Sequence, residues 1–416
     1  MKLTLRAQLT QFTHLLQSQL FPVLEEAVGE LDVTAKRLVA ILEMIPLARF
    51  VPASRGWLGR PSKDRLAIAC AFVAKTVYGY SLTRPWLAGL KQDQPLRRIC
   101  GWQHAWQVPH ESTFSRAFAE FAAMELPQFV HEALIQQTQK ERLIGHISRD
   151  STAIEARERF PDQGTQPKTK SQKKADGERK RARRLRSSQA AAVPEVRPPA
   201  LQQGQRGARG PHRRHPGGKP KYTPKTDTRL HRQRGMKLPE MLAELPRHCS
   251  LGVKTREGNQ QYWRGYKLHL DVADGQIPIR AIWTAASLHD SQVAIPLATM
   301  TAERVTSLYD VMDAAYDATE IQEHSRALGH VPIIRPARRK RQEIPFSLRD
   351  RWEAREMTWA EQDRFRERTT VERVNARLKD EFGGREIRVR GARKIMTHLM
   401  FGVLALTADQ ILKLVT

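Results

Sequence analysis

Cysteine is nearly absent from the 416-residue chain: Cys70, Cys100 and Cys249 lie far apart and form no C-x-x-C pair. That excludes a disulfide framework and a cysteine-rich zinc site, and it fits a reducing, cytoplasmic setting. Long apolar runs are lacking too. No stretch approaches the roughly 18 uninterrupted apolar residues of a membrane span. The N-terminal MKLTLRAQLTQFTHLLQSQLFPVLEE is broken by Gln, Thr and His, unlike the uniform core of a signal peptide. Acidic residues are the third shortage: 44 Asp and Glu against 70 Lys and Arg leave a formal charge of +26. An excess of that size points to a polyanionic partner, either nucleic acid or an anionic membrane surface. The length suffices for two or three domains with a sizeable core.

The positive charge is concentrated. Residues 161–237 hold 22 Lys and Arg against 5 Asp and Glu, in a stretch rich in Gln, Gly, Pro and Ser (SQKKADGERKRARRLRSSQ, LQQGQRGARGPHRRHPGGKPKYTPK). Few large apolar residues and no regular period occur there. A basic, low-complexity insert over 160–245, disordered or loosely ordered, is therefore expected. It reads either as a solvated spacer or as an arm whose clustered cations release counterions from DNA.

Upstream, residues 1–141 read as a helical N-terminal domain. Apolar residues recur every three or four positions in Arg65-LAIACAFVAKTVYG-Tyr80 and Ser112-TFSRAFAEFAAMELPQFVHEALIQQ-Thr138. Ser62 and Ser112 are the expected N-caps. With Arg97, Arg98 and Arg116 nearby, the array reads as a DNA reader or as a plain bundle that serves dimerisation; periodicity does not separate the two.

Residues 142–416 change pattern. Leu143-IGHIS-Arg149 is strand-like and ends at Asp150. Gln261-YWRGYKLHLD-Val272 and Gln276-IPIRAIW-Thr284 alternate around Gly275 and predict a hairpin. Then follow a helix over 291–300, a strand over 307–313, a helix over 320–328, a strand over 330–335, and helices near 369–381 and 394–415. The last, His398-LMFGVLALTADQILKL-Val415, is interrupted by Thr407, Asp409 and Gln410 and reads as a core helix. This order gives an α/β domain with helices packed on a mixed sheet.

Three carboxylates stand out by position: Asp150 and Asp313 at strand ends, and Glu372 on a late helix. Adjacent strands bring matching ends together. Clustered carboxylates repel unless a cation lies between them, and hard oxygen donors suit Mg²⁺ or Mn²⁺ rather than zinc. Two such ions about 4 Å apart clamp the attacking and leaving oxygens of a phosphodiester displacement. Each acid alone reads equally as a turn or cap residue; the set carries the inference. At roughly 100° per residue, Arg368, Glu372 and Lys379 share one narrow helical face beside the apolar stripe of Val371, Val374 and Leu378. The plain alternative is an i,i+4 ion pair on a solvated face.

Phe365, Arg368, Glu372 and Lys379 keep the spacing of the Y-(2)-R-(3)-E-(6)-K signature, with Phe for Tyr. The chain thereby resembles bacterial insertion-sequence transposases of the DDE class. The segments Trp263-RGYKLHLDVADGQIPIRAIWTAASLH-Asp290, Val311-MDAAYDATE-Ile321 and His146-ISRDSTAIEA-Arg157 are similar to that family's other conserved blocks. The likeness spans about Leu143 to Leu414 apart from the insert, and the N-terminal helices resemble the region preceding the catalytic domain in such proteins.

The resemblance implies a ribonuclease H-like catalytic domain over 142–416. It also implies Asp150, Asp313 and Glu372 as catalytic, metal-binding residues, with two Mg²⁺ or Mn²⁺ ions. Asp310 and Asp317 lie close to Asp313 in the chain, and the position before AAYD favours Asp313. Arg368, Lys379, Lys267, Arg373 and Arg390 are the expected DNA-contacting cations. The partners implied are terminal inverted repeats and target DNA, engaged by a homodimer. Trp263 reads as a buried hairpin aromatic, with base stacking as the alternative, and His289 as a capping residue. Two rival functions remain open at this point: a non-catalytic DNA-binding protein that keeps the fold, and a metal-dependent nuclease without strand transfer.

Overall fold

A computed structural model describes residues 4–51, 63–158, 228–256, 259–336 and 357–414. Several of the N-terminal helices begin where a side chain accepts first-turn amides. Thr4 caps α1 (Leu5–Leu15), α2 spans Phe21–Val28, and Asp32 caps α3 (Val33–Met44). Asp64 caps α4 (Arg65–Val77) through Leu66 N and Ala67 N. Next come α5 (Thr83–Gln92) and α6 (Gln94–Ile99), followed by α7 (Glu111–Ala123), which is capped by His110. Ser112 is thus inside α7 and not its cap, and Ser62 lies outside the described residues. The single helix expected over 112–138 is two. Glu125 is left-handed (φ 52°) and Pro127 stands in the first turn of α8 (Leu126–Gln139), which restarts the helix in a new direction.

The sheet is open and mixed. Central β1 (Leu143–Glu155) pairs antiparallel with β3 (Asn259–Ala273) and parallel with β5 (Thr306–Met312). Beyond β5 lies parallel β6 (Val331–Ile334). The first half of β3 pairs with β2 (Ser250–Arg256) and its second half with β4 (Ile277–Ala285), both antiparallel. The expected hairpin is β3–β4. Strand β1 runs five residues past Asp150, because β3 continues to pair with it as far as Gly265.

Helices cover the sheet: α11 (Ser291–Ala302), α12 (Thr319–Ala327), α13 (Trp359–Phe365), α14 (Thr369–Asp380) and α15 (Ala392–Leu412). The fold is α/β with an open mixed sheet flanked by helices and an all-helical N-terminal region, the ribonuclease H-like class expected. The end of the basic insert departs from expectation. Residues 229–243 form α9 (Arg229–Gln233) and α10 (Leu238–Ala243). Leu230 and Met241 pack with Ile295, and Leu242 and Leu245 with Leu297, so this stretch does bury enough apolar surface to fold onto α11. The earlier part of the insert, including the suggested phosphate arm, lies outside the described residues.

Residues 1–159 and 227–416 make one compact unit. The boundary expected at residue 141 falls between α8 and β1, and both sides share one apolar core. Helix α15 is its axis: long and apolar enough to cross a membrane by composition, it has 89% of its apolar window buried inside the protein. Phe401 stacks on Phe72 of α4 with ring centroids 5.6 Å apart. At its other end Asp409 receives Arg37 of α3 (2.6 Å), Arg377 of α14 (2.7 Å) and Lys413 (3.0 Å). Burial works to raise the Asp409 carboxyl, but these three cations pull it down to about 2. Phe401→Ala is expected to lower the unfolding free energy by about 3–5 kcal/mol, read by urea titration. Trp359→Ala, at a side chain 87% exposed, should change it by less than about 0.5 kcal/mol.

Candidate active site

The β1–β5 ladder runs in parallel register up to Arg149 opposite Met312. The next residue on each strand is an aspartate, so Asp150 and Asp313 stand side by side where the ladder ends. Asp150 is inside β1, held by its antiparallel pairing with Leu270. Asp313 leaves β5 and caps a 3-10 turn, Ala314–Tyr316, accepting from Ala315 N at 2.9 Å. Asp317 closes that turn and accepts from Gln322 Nε2, while Ala318 precedes α12. Asp310 faces away from the pair, accepting from Ser325 Oγ (2.6 Å) and bonding His330 Nδ1 (3.1 Å).

The two carboxylates are short of positive charge. Burial pushes Asp150 up to about 7, and Asp313 and Asp290 push the same way, against the Ser151 amide and Arg368. Asp313 is also raised, by burial first, with Arg368 again opposing. Arg368 belongs to the segment entering α14. That entry is docked on β1 by Ser148 Oγ, which donates to Glu367 O at 2.8 Å, two residues before Asp150.

Glu372 is placed differently from expectation. It is exposed in the first turn of α14, and its carboxylate is held by Arg368 at 2.7 Å. This is the plain i,i+4 pair. Among the described residues, no three His, Cys, Asp or Glu side chains gather tightly enough to hold a metal ion. The chemistry of the donors nevertheless fits a hard divalent cation: oxygen donors only, with a desolvated Asp150 that further positive charge would keep ionised.

The expected DNA-contacting cations divide. Arg373 and Arg390 are exposed, and Lys379 is half-buried, its ammonium lowered by burial and by nearby Arg385 and Lys254. Lys267 is turned inward instead, donating to Asp290 Oδ1 (2.8 Å) and Leu288 O (2.9 Å). Its side chain has only 14% exposure, and the neighbouring carboxylate explains why it is not a surface cation. Arg97 and Arg98 also turn to backbone carbonyls, Lys91 O and Ala27 O.

His289 bonds Ser291 Oγ at 2.8 Å at the start of α11, the capping place expected. Trp263 donates to Tyr266 O at 3.3 Å, and its ring lies so close over Gly252 that a Cβ there would sit 2.3 Å from it. The acid that sequence reasoning missed is Asp290. It stands beside both Asp150 and Asp313 electrostatically. Its signals were its place after His289 at a helix start, which reads as a turn, and its position at the end of the family-like segment that begins at Trp263.

Two families match the chain. Transposase DDE domain matches residues 221–408, taking in Asp313 and Glu372 but not Asp150, and Transposase domain matches residues 26–120. The chain belongs to the DDE transposases of insertion sequences. As a transposase it is a DNA-cutting and DNA-joining enzyme of mobile elements, and DNA is its substrate. No curated protein and no solved structure gives a significant match.

A raised acid favours the folded state at low pH, and that stability is lost as pH rises from its ordinary 3.8 through about 7. Burial lowers His131, His269 and His398 to about 4, which works in the opposite sense below their ordinary 6.5. The comparison that isolates Asp150 is therefore with a variant. In EDTA, Asp150→Asn should gain stability relative to the parent as pH rises from about 4 to about 7, at roughly 1.4 kcal/mol per pKa unit. Parallel melting curves for the two proteins over that range would contradict the assignment.

Proposed function

We propose that this transposase cuts the ends of its own insertion sequence and joins them to target DNA by hydrolysis followed by transesterification, at a site built on Asp150, Asp313 and Glu372. The observation that supports this reading is the pair of desolvated aspartates fixed side by side at the end of the β1–β5 ladder. In it, Asp150 and Asp313 would hold divalent cations from the sheet, and Glu372 would join them from α14 on release from Arg368. When bound, Mg²⁺ or Mn²⁺ supplies Lewis-acid polarisation of the scissile phosphate and makes water or a 3′-hydroxyl a better nucleophile.

The protein's own groups do the positioning. Arg368, paired with Glu372 and within electrostatic reach of Asp150 and Asp313, would take a non-bridging phosphate oxygen, a bidentate task suited to a guanidinium. Exposed Arg373 and Arg390, with Lys379, would follow the flanking backbone, giving register without reading sequence. Terminal inverted repeats are the proposed recognition element. A homodimer that brings two DNA ends together is the proposed assembly. Ser148 and the apolar face of Val371, Val374 and Leu378 keep α14 against the sheet, so little reorganisation is needed as charge develops.

Full-length protein is expected to nick a DNA oligonucleotide bearing the element's terminal repeats in Mg²⁺ and not in EDTA. Asp150→Ala, Asp313→Ala and Glu372→Ala should each slow nicking by at least about a hundredfold while DNA binding stays within about threefold. Binding without cleavage in any divalent metal would favour a non-catalytic DNA-binding role instead. Transfer of the freed 3′ end into a plasmid separates transposition from simple nuclease action.

A further inference from the structure

Asp290 is a further acid beside Asp150 and Asp313, and unlike that pair it has a countercharge in direct contact. Its Oδ1 receives Lys267 Nζ at 2.8 Å, it accepts from the Ser151 hydroxyl, and buried His269 Nδ1 lies 4.0 Å away. Ser151 is the residue next to Asp150, so Asp290 is tied to the strand that carries the first catalytic acid. Lys267 itself comes from β3 and is also anchored to Leu288 O at 2.9 Å. One short chain of polar contacts therefore joins β3, the start of α11 and the Asp150 segment of β1.

A second observation points independently to a polar ligand at this place. The Tyr316 hydroxyl, on the turn capped by Asp313, is fully buried and has no hydrogen-bond partner among the described residues. Its charged neighbours are Asp290, Asp150 and Asp313, with Arg149. His269 Nδ1 is likewise buried and unpartnered. Native interiors rarely leave such groups unsatisfied, and water carried in with a cation would accept from the phenol.

We propose that Asp290 is a positioning residue whose charge draws the divalent cation to the Asp150–Asp313 pair, and that Lys267 is an internal counter-ion which competes with that cation for Asp290. This rests on the metal-dependent reading above. It predicts opposite signs for the two members of one ion pair. Removing the Asp290 charge weakens cation binding. Removing the Lys267 charge frees Asp290 and strengthens it. A merely structural salt bridge predicts that both substitutions act in the same direction, because either one breaks the same contact.

The test measures Mn²⁺ binding to full-length protein without DNA, from loss of the free-ion resonance in electron paramagnetic resonance, with circular dichroism to check folding. Asp290→Asn should weaken binding about tenfold, Asp290→Glu should stay near the parent, and Lys267→Met should tighten binding about threefold. Unchanged affinity in Asp290→Asn, or weaker affinity in Lys267→Met, overturns the proposal. Should Asp290→Asn fail to fold, the Lys267→Met arm decides alone. Asp150→Asn and Asp313→Asn distinguish the two levels. If they weaken Mn²⁺ binding and Asp290→Asn does not, only this inference falls; if the parent binds no Mn²⁺, the metal-dependent reading falls with it.

Discussion

The parallel register between β1 and β5 is the constraint on which the site depends. Backbone hydrogen bonds bring Arg149 level with Met312, and chain continuity then sets Asp150 beside Asp313. No side-chain preference is needed to bring the two acids together; the ladder does it and holds them there. The arrangement is electrostatically unfavourable by itself, since burial and mutual repulsion both raise Asp150. It persists because the ladder is part of a sheet buried under helices, whose packing outweighs the local penalty. Under the proposed function such rigidity would serve catalysis, since groups already in place need not reorganise when charge develops on a phosphate.

That rigidity has a second source one residue away. Arg149 points to the face opposite Asp150, since neighbours on a strand alternate. It forms a fully buried bidentate pair with Asp271 of β3 at 2.7 Å for both contacts, and Thr301 of α11 donates to the same carboxylate at 2.6 Å. Breaking such a pair strands a buried charge. The strand that carries Asp150 is therefore pinned to β3 and α11 from behind while its front face remains available for chemistry. Helix α15 extends the same logic to the N-terminal helices, because one apolar axis touches α3, α4, α7 and α8 as well as β4 and α14. The N-terminal helices and the sheet thus share one apolar core.

Much of this was legible in the sequence because it follows periodicities. Alternation in 261–284 gave the β3–β4 hairpin, and helical spacing gave α4, α7, α11, α14 and α15. Local rules were less reliable where two signals compete. The apolar spacing of 112–138 runs straight through Glu125, while the left-handed backbone there, just ahead of Pro127, breaks it. Asp64 displaced Ser62 as a cap because it stands directly before α4 and accepts two amides. Bulk composition hid α9 and α10, where a few Leu and Met residues among many cations suffice once α11 offers a surface. In the proposed site, strand position was enough to expect Asp150 and Asp313 at neighbouring strand ends, but not to give the partner choices of long side chains. Whether Lys267 faces solvent or Asp290, and whether Glu372 faces the aspartates or Arg368, depends on three-dimensional charge balance that spacing does not encode.

Charge balance also accounts for the difference between the site as it stands and the chemistry assigned to it. Four carboxylates, from Asp150, Asp313, Asp290 and Glu372, are answered locally by two permanent cations, Lys267 and Arg368. Each cation is committed to one acid of the outer pair, Lys267 to Asp290 and Arg368 to Glu372. The inner pair is left with Arg368 only at longer range, which is why it is the inner acids whose protons are held too tightly. The uncompensated charge equals that of a single divalent ion. DNA would bring further negative charge in its phosphates, and Arg368, with five donors in one planar group, can answer a phosphate without surrendering every contact to Glu372. A site short of positive charge before DNA arrives, and shorter of it afterwards, would under the proposed function hold its cations more tightly once substrate enters.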